Sequence, residues 1–199
     1  MIHLSDFVGR QRTYALYFLL GIPLYVAIPW IAHQQSLVPA FGWLVAFYGV
    51  ALFIFTMYGG GFATIPAYLA DLFGTKYVGG IHGRLLTAWS TAGVLGPWLI
   101  TTLRERSLRH AIGQIAAQIV PVRFATHFGA PVSDIEQLVA AKTVTLPKLM
   151  EIAPSGTIDP SANLYNTTMY VMAGLLAVAL VANWLVRPVD PRHYEKTGP

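Results

Sequence analysis

Apolar positions fall into four long blocks along the chain, and a polar and mixed stretch separates the third from the fourth. The first block is "TYALYFLLGIPLYVAIPWIAH", Thr13 to His33, with no Asp, Glu, Lys or Arg. It reaches the ~20 residues that a bilayer core requires. The second, "AFGWLVAFYGVALFIFTMYGGGFATIPAYLA", runs uncharged from Ala40 up to Asp71 and predicts a span at 40–72. As one helix it is about 48 Å long, against a core of ~30 Å. It must tilt, protrude or break. Breaking is easiest at Gly59, Gly60, Gly61 and Pro66, because Gly costs about 1 kcal/mol of helix propensity and Pro about 3. The third block, "LLTAWSTAGVLGPWLITTL", predicts a span at 83–103, and "LYNTTMYVMAGLLAVALVANWLV" predicts one at 164–187, ended by Arg187 and Pro188.

The stretch 104–163 has helical periodicity of its own. "SLRHAIGQIAAQIV" places Leu108, Ile112, Ile115 and Ile119 at helical spacing. In "SDIEQLVAAKTV", Ser133 and Glu136 have the spacing of a capping box. "TLPKLMEIA" offers Thr145 as an N-cap with Pro147 in the first turn. Three or so short helices are expected, joined at Pro121, Gly129–Pro131 and Pro154–Gly156. The tail at 188–199 is polar and Pro-rich.

Composition agrees with the pattern. The chain of 199 residues is 55% hydrophobic and 11% charged, against about 25% charged in soluble domains. It has no Cys, which excludes disulfides, thiol chemistry and cysteine metal sites. The net charge of +4 lies largely beside the apolar blocks, where membrane orientation rather than nucleic-acid binding explains it. Arg10 and Arg12, then Lys76 and Arg84, then Arg187, Arg192 and Lys196 flank segments that alternation places on one side. Positive charge makes that side cytoplasmic. Arg104, Arg106 and Arg109 oppose this, at the start of a loop about as long as the limit beyond which loop charges stop counting.

"LSDFVGRQR" at residues 4–12 resembles the cytoplasmic loop signature of the major facilitator superfamily, Gly-x-Leu-(Ala/Ser)-Asp-x-x-Gly-Arg-(Arg/Lys). Leu4, Ser5, Asp6, Gly9 and Arg10 match, while Ile2 stands at the first Gly and Gln11 at the last basic position. Gly9 suits a tight turn between helices. Asp6 can cap the next helix or pair with Arg, so that Asp6, Gly9 and Arg10 form a cytoplasmic latch. The runs "GGGFATIPAYLADLFG" and "GRLLTAWSTAGVLGP" resemble helices ten and eleven of the oxalate/formate antiporter family within that superfamily. The resemblance covers residues 2–103 and the last block. It implies an all-α membrane protein of four transmembrane helices, corresponding to helices nine to twelve of a twelve-helix fold, with a short-helix extramembrane insert. It further implies a multi-pass protein of the bacterial inner membrane, with residues 1–12 and 188–199 cytoplasmic and 104–163 periplasmic. Eight helices of that fold would be missing, so a truncated or split frame or an isolated fragment is expected, inactive alone. A separate chain supplying helices one to eight, or self-association, would complete it.

The family moves small carboxylate anions by alternating access. On that resemblance the small residues Gly93 and Gly96 permit close helix approach and Pro97 bends the helix. Tyr58, Thr64, Tyr68, Arg84, Thr87, Trp89, Ser90 and Thr91 are candidates for the substrate path, each also explicable by packing or interfacial anchoring. Trp89 stands where oxalate-handling members carry Lys, which favours a monocarboxylate. The histidines at 3, 33, 82, 110, 127 and 193 show no metal-ligand spacing. No nucleophile elbow or phosphate loop occurs, so neither an enzyme nor a cofactor is expected. Two other readings stand beside transport: a membrane scaffold or accessory subunit whose 104–163 insert binds a partner, and a membrane-bound enzyme built on that insert. The insert's acids Asp134, Glu136, Glu151 and Asp159 form no recognisable catalytic pair.

Overall fold

The computed structural model describes residues 2–187 and 189–190. The expected tail features, including Arg192, His193 and Lys196, lie outside them. Among the described residues, eight α-helices follow in order: α1 (Ile2–Val8), α2 (Arg10–Leu37), α3 (Phe41–Phe73), α4 (Val78–Ala116), α5 (Pro121–Phe128), α6 (Ile135–Ala140), α7 (Leu146–Ile152) and α8 (Asn166–Leu185). Short 3-10 turns at Val132–Asp134 and Pro160–Asn163 precede α6 and α8. No strand occurs among the described residues.

Among the described residues, three stretches are long and apolar enough to cross a membrane: Arg10–Leu37, Phe41–Phe73 and Pro160–Leu185. The chain is therefore an all-helical, membrane-embedded protein. The third apolar block lies within α4, the longest helix at 39 residues. Its Thr, Ser, Gly and Pro content between Thr87 and Thr102 dilutes its hydropathy.

Of the three outcomes that the length of this block leaves open, α3 does not break. The helix continues through Gly59, Gly60, Gly61 and Pro66, because backbone groups released within a bilayer find no water to bond. The Thr64 hydroxyl donates to the Gly60 carbonyl at 2.8 Å, and the Tyr14 hydroxyl of α2 donates to the Gly61 carbonyl. At 33 residues the helix is about 50 Å long and overruns the ~30 Å core. Likewise α4 runs unbroken through Gly93, Gly96 and Pro97.

Helix α2 is the centre of the bundle, packed on α8 and on α3. Gly21 permits the first approach: a Cβ there would lie 2.8 Å from the Leu176 Cδ1 of α8. The chain's start, the end of α3 and the end of α8 meet at one pole, where the Val189 N–H donates to the Leu72 carbonyl at 3.0 Å. At the opposite pole, Trp30 and Trp43 pack edge to face at 5.3 Å, and the Ala40 N–H donates to the Gln35 side chain at 3.2 Å.

The segment beyond the third apolar block differs in two ways from the expected pieces. Helix α4 does not stop near Leu103 but carries on to Ala116. Arg104 and Glu105 end the apolar stretch, yet neither residue breaks a helix. The second difference is α5, "PVRFATHF", a helix between the expected pieces. Its signals were present: Pro121 at its start, and Gly129 beyond its end at φ +73 in the left-handed conformation. The capping box at Ser133 is also not formed. Ser133 lies in the 3-10 turn after Pro131 and bonds Asp134 Oδ1 at 3.0 Å, so α6 starts later, at Ile135. Thr145 does stand at the N-cap of α7, without a side-chain bond, and Pro147 lies in the first turn.

Ala111, Ile112, Ile115 and Ala116 at the end of α4 close a core with Phe124, Val144, Leu146, Leu149 and Ile152. A lobe with its own hydrophobic centre thus grows from the far end of α4. Arg104 lies over the Tyr165 ring at 5.7 Å and ties the lobe's base to the start of α8.

Candidate functional site

Two features bring together polar or aromatic side chains from separate helices. The first is an ionic clamp. Helix α1 ends where Gly9 takes φ +90 and ψ 143, a conformation essentially reserved for glycine. The elbow is fixed on both sides. The Gly9 N–H donates to the Ser5 carbonyl at 3.1 Å, and the Gly9 carbonyl accepts from Thr13 N–H at 3.0 Å and from the Thr13 hydroxyl at 2.9 Å. Ser5 and Thr13 are both buried.

The elbow aims Arg10 at two acids. One guanidinium nitrogen lies 2.8 Å from Asp6 Oδ1, and Nε lies 2.6 Å from Asp71 Oδ2. Asp6 therefore pairs with Arg10 instead of capping α2, whose N-cap Gly9 has no side-chain bond. Two of these charges are badly placed on their own helices. Arg10 opens α2, where the dipole is positive, and Asp71 closes α3, where it is negative. Each removes the other's penalty. Asp71, which was not singled out from the sequence, is the only acid between Phe7 and Arg104, and that isolation was the available signal.

Beside the clamp, Gln11 and Asn183 join α2 to the end of α8. Gln11 Nε2 donates to the Asn183 carbonyl at 2.8 Å and to the Val186 carbonyl at 3.1 Å. Asn183 Nδ2 returns a bond to the Gln11 carbonyl at 3.0 Å, and the Tyr68 hydroxyl reaches Asn183 Oδ1 at 3.4 Å. Gln11 thus satisfies carbonyls left open at a helix end, a task the departure from the signature's basic residue did not suggest. Tyr68, one of the path candidates, serves this junction and stacks on Tyr14 at 5.4 Å.

The second feature is a cavity of about 320 Å³ between α2, α3 and α4, with Leu176 of α8 at its floor. Tyr17 and Tyr25 line it from α2, Tyr58 and Phe62 from α3, and His82 and Trp89 from α4. Phe62 and Trp89 are in contact, with ring centroids 5.6 Å apart. No Asp, Glu, Lys or Arg borders the cavity among the described residues. His82 Nδ1 is buried without a hydrogen-bond partner; absence of metal spacing was all that the sequence said of this residue.

Of the path candidates, Tyr58 and Trp89 line the cavity and the rest do not. Thr64 is buried against its own helix. The Thr87, Ser90 and Thr91 hydroxyls donate back to the Arg84, Leu86 and Thr87 carbonyls at 2.7, 3.0 and 2.9 Å. Arg84 is exposed and makes no ion pair among the described residues. A Cβ at Gly59, Gly93 or Gly96 would meet nothing within 4 Å, so these small residues mark no close helix approach within this chain. Gly61 does border the cavity, against Tyr14 and Tyr17. No cluster of His, Asp or Glu fit for a metal ion occurs among the described residues.

The elbow has a direct test. Gly9→Ala forces a side chain into a conformation costing about 1–3 kcal/mol, with no steric neighbour to blame, since nothing lies within 4 Å of the added Cβ. Thermal unfolding in detergent should show a lowered midpoint, and Gly9→Asn should lower it less than Gly9→Val. Equal midpoints for all three variants and the parent would refute the strain argument. Searches of protein-family models, curated proteins and solved structures return no match for this chain.

Proposed function

We propose that this chain forms part of a secondary transporter of the major facilitator kind, moving small organic anions such as monocarboxylates by alternating access in a bacterial inner membrane. The observation that supports this reading most is the clamp. The loop that resembles the superfamily signature and the run that resembles helix ten are 61 positions apart at Arg10 and Asp71, yet they meet at 2.6 Å. A charged junction at one pole of a helix bundle suits a latch that opens in one state and closes in the other. In this reading α4 crosses the membrane as a fourth span, joining the clamp pole to the pole that bears the lobe.

Every buried residue of α4 lies between Ala111 and Ala116. The membrane half of that helix is mostly open, and so is much of α3. In this reading further helices, from another chain or a second copy, cover those faces and complete the pathway. The cavity wall described here has no cation, so a dianion such as oxalate would need its charge met by those helices.

Uptake of radiolabelled formate, oxalate and lactate by proteoliposomes tests the proposal. The chain alone should take up none of them. A chimera joining it to the first eight helices of an intact antiporter should take up monocarboxylate, and Arg10→Ala should abolish that uptake. An inactive chimera that folds would remove the transport reading. Saturable uptake by the chain alone would remove the need for other helices.

A further inference from the structure

The cavity between α2, α3 and α4 has a chemistry of its own. Aromatic side chains reach it from three helices, and they meet at angles rather than face to face. Tyr14 and Tyr17 are T-shaped at 74°, and Phe62 and Trp89 are tilted at 53°. Such walls offer both ring faces and ring edges to a planar guest. A volume of about 320 Å³ is at the small end of the range for small-molecule sites. An ion placed there would have no countercharge among the described side chains, and an unpaired charge in an apolar site is strongly disfavoured. His82 supplies the polar element. It borders the cavity, and its Nδ1 is a buried nitrogen with no partner. Buried nitrogens are seldom left so, and a turn of the ring exchanges the nitrogen and carbon positions.

We infer that this cavity is a binding site for a planar aromatic molecule bearing a single uncharged hydrogen-bonding group, which His82 receives. A lipid acyl chain fits less well. It gains nothing from ring edges and leaves the His82 nitrogen unpaired. The guest is distinct from the anionic cargo of the transport reading above, and its site does not rest on that reading. Binding itself is measured without transport, so either can fail alone.

The test uses the full chain in phosphatidylcholine nanodiscs, with empty discs as the background. Tritiated 2-naphthol is the probe, and naphthalene, formate and oxalate are competitors. Saturable 2-naphthol binding above background is expected, displaced by naphthalene but not by formate or oxalate. His82→Phe should weaken 2-naphthol binding about tenfold, the loss of one hydrogen bond, while leaving naphthalene binding unchanged. Trp89→Ala should weaken both. His82→Phe binding both probes as the parent does would overturn the assignment to His82. Non-saturable binding equal to empty discs would overturn the site. So would a photoreactive acyl chain that labels Trp89 and is not displaced by 2-naphthol, which would make the cavity a lipid position.

Discussion

Phe124→Ala should unfold the extramembrane lobe ahead of the membrane helices. Phe124 is fully buried in α5, with its ring 4.7 Å from Phe128. It touches a core drawn from the end of α4 and from α7. Truncating a fully buried Phe costs about 3–5 kcal/mol, part lost transfer energy and part the cavity left behind. A lobe this small buries a modest apolar area and holds little reserve. Hydrogen exchange should therefore rise across α5, α6 and α7 while α2 and α8 keep their protection. Leu149→Ala, at the other fully buried centre of the lobe, should act the same way at about 2–5 kcal/mol. Uniform loss of protection through α2 and α8 would show that the lobe and the membrane helices are one cooperative unit instead.

Arg10→Ala should loosen the opposite pole. The Arg10 side chain is 20% exposed, and its partners Asp6 and Asp71 are 48% and 56% exposed. Charge-assisted bonds contribute ~1.5–3 kcal/mol when sheltered, but the half-exposed carboxylates lower this toward the surface range. A loss of about 1–2 kcal/mol is the net expectation, most of it from taking the guanidinium away from Asp71 at a negative helix end. The control is Asp71→Asn, which keeps the shape and removes the charge. In a double-mutant cycle, Arg10→Ala and Asp71→Asn should couple by about 1 kcal/mol. Arg10→Lys should not restore the midpoint, because an ammonium cannot address two carboxylates through Nε and a terminal nitrogen at once. Additive effects of the two single changes would mean that the close approach contributes nothing to stability.

Particular residues show where the sequence was readable. The helices α2, α3 and α8 follow from uninterrupted apolar runs. Their burial in lipid requires internal satisfaction of every backbone bond. The same requirement explains why α3 does not break at its three consecutive glycines and proline: breaking was one of three outcomes left open by its length, and the helix instead overruns the core. Gly9 was legible because its role is local, a positive φ between two helices. Asp6 and Arg10 are four residues apart, so their pairing was local as well. The third member of the clamp was not. Asp71 is distant in sequence, and nothing in its neighbours announces where α3 ends relative to α2. The same holds for Gln11 and Asn183, 172 positions apart.

The candidate path divides along the same line. Helical spacing told which residue types lie on α3 and α4, but rotation about each axis decided which of them face the cavity. Trp89 and Tyr58 border the cavity while staying 55% and 61% exposed, and Thr87, Ser90 and Thr91 spend their hydroxyls on their own helix. His82 was invisible as a site residue because a lone histidine has no pattern, and only the surrounding rings make it unusual.

By itself, then, the sequence determined the all-helical membrane class, the apolar stretches, the elbow at Gly9 and the apolar periodicity that the lobe packs. Those properties depend on composition and on contacts a few residues apart, through hydrogen bonds and transfer energies that every turn of helix obeys. The tertiary structure alone decided that α4 is one rod from one pole to the lobe, that Arg10 reaches Asp71, and that a charge-free aromatic cavity opens between three helices. These depend on how helices distant in the chain are rotated and offset against each other, and that is set by side-chain packing across the bundle rather than by any local preference.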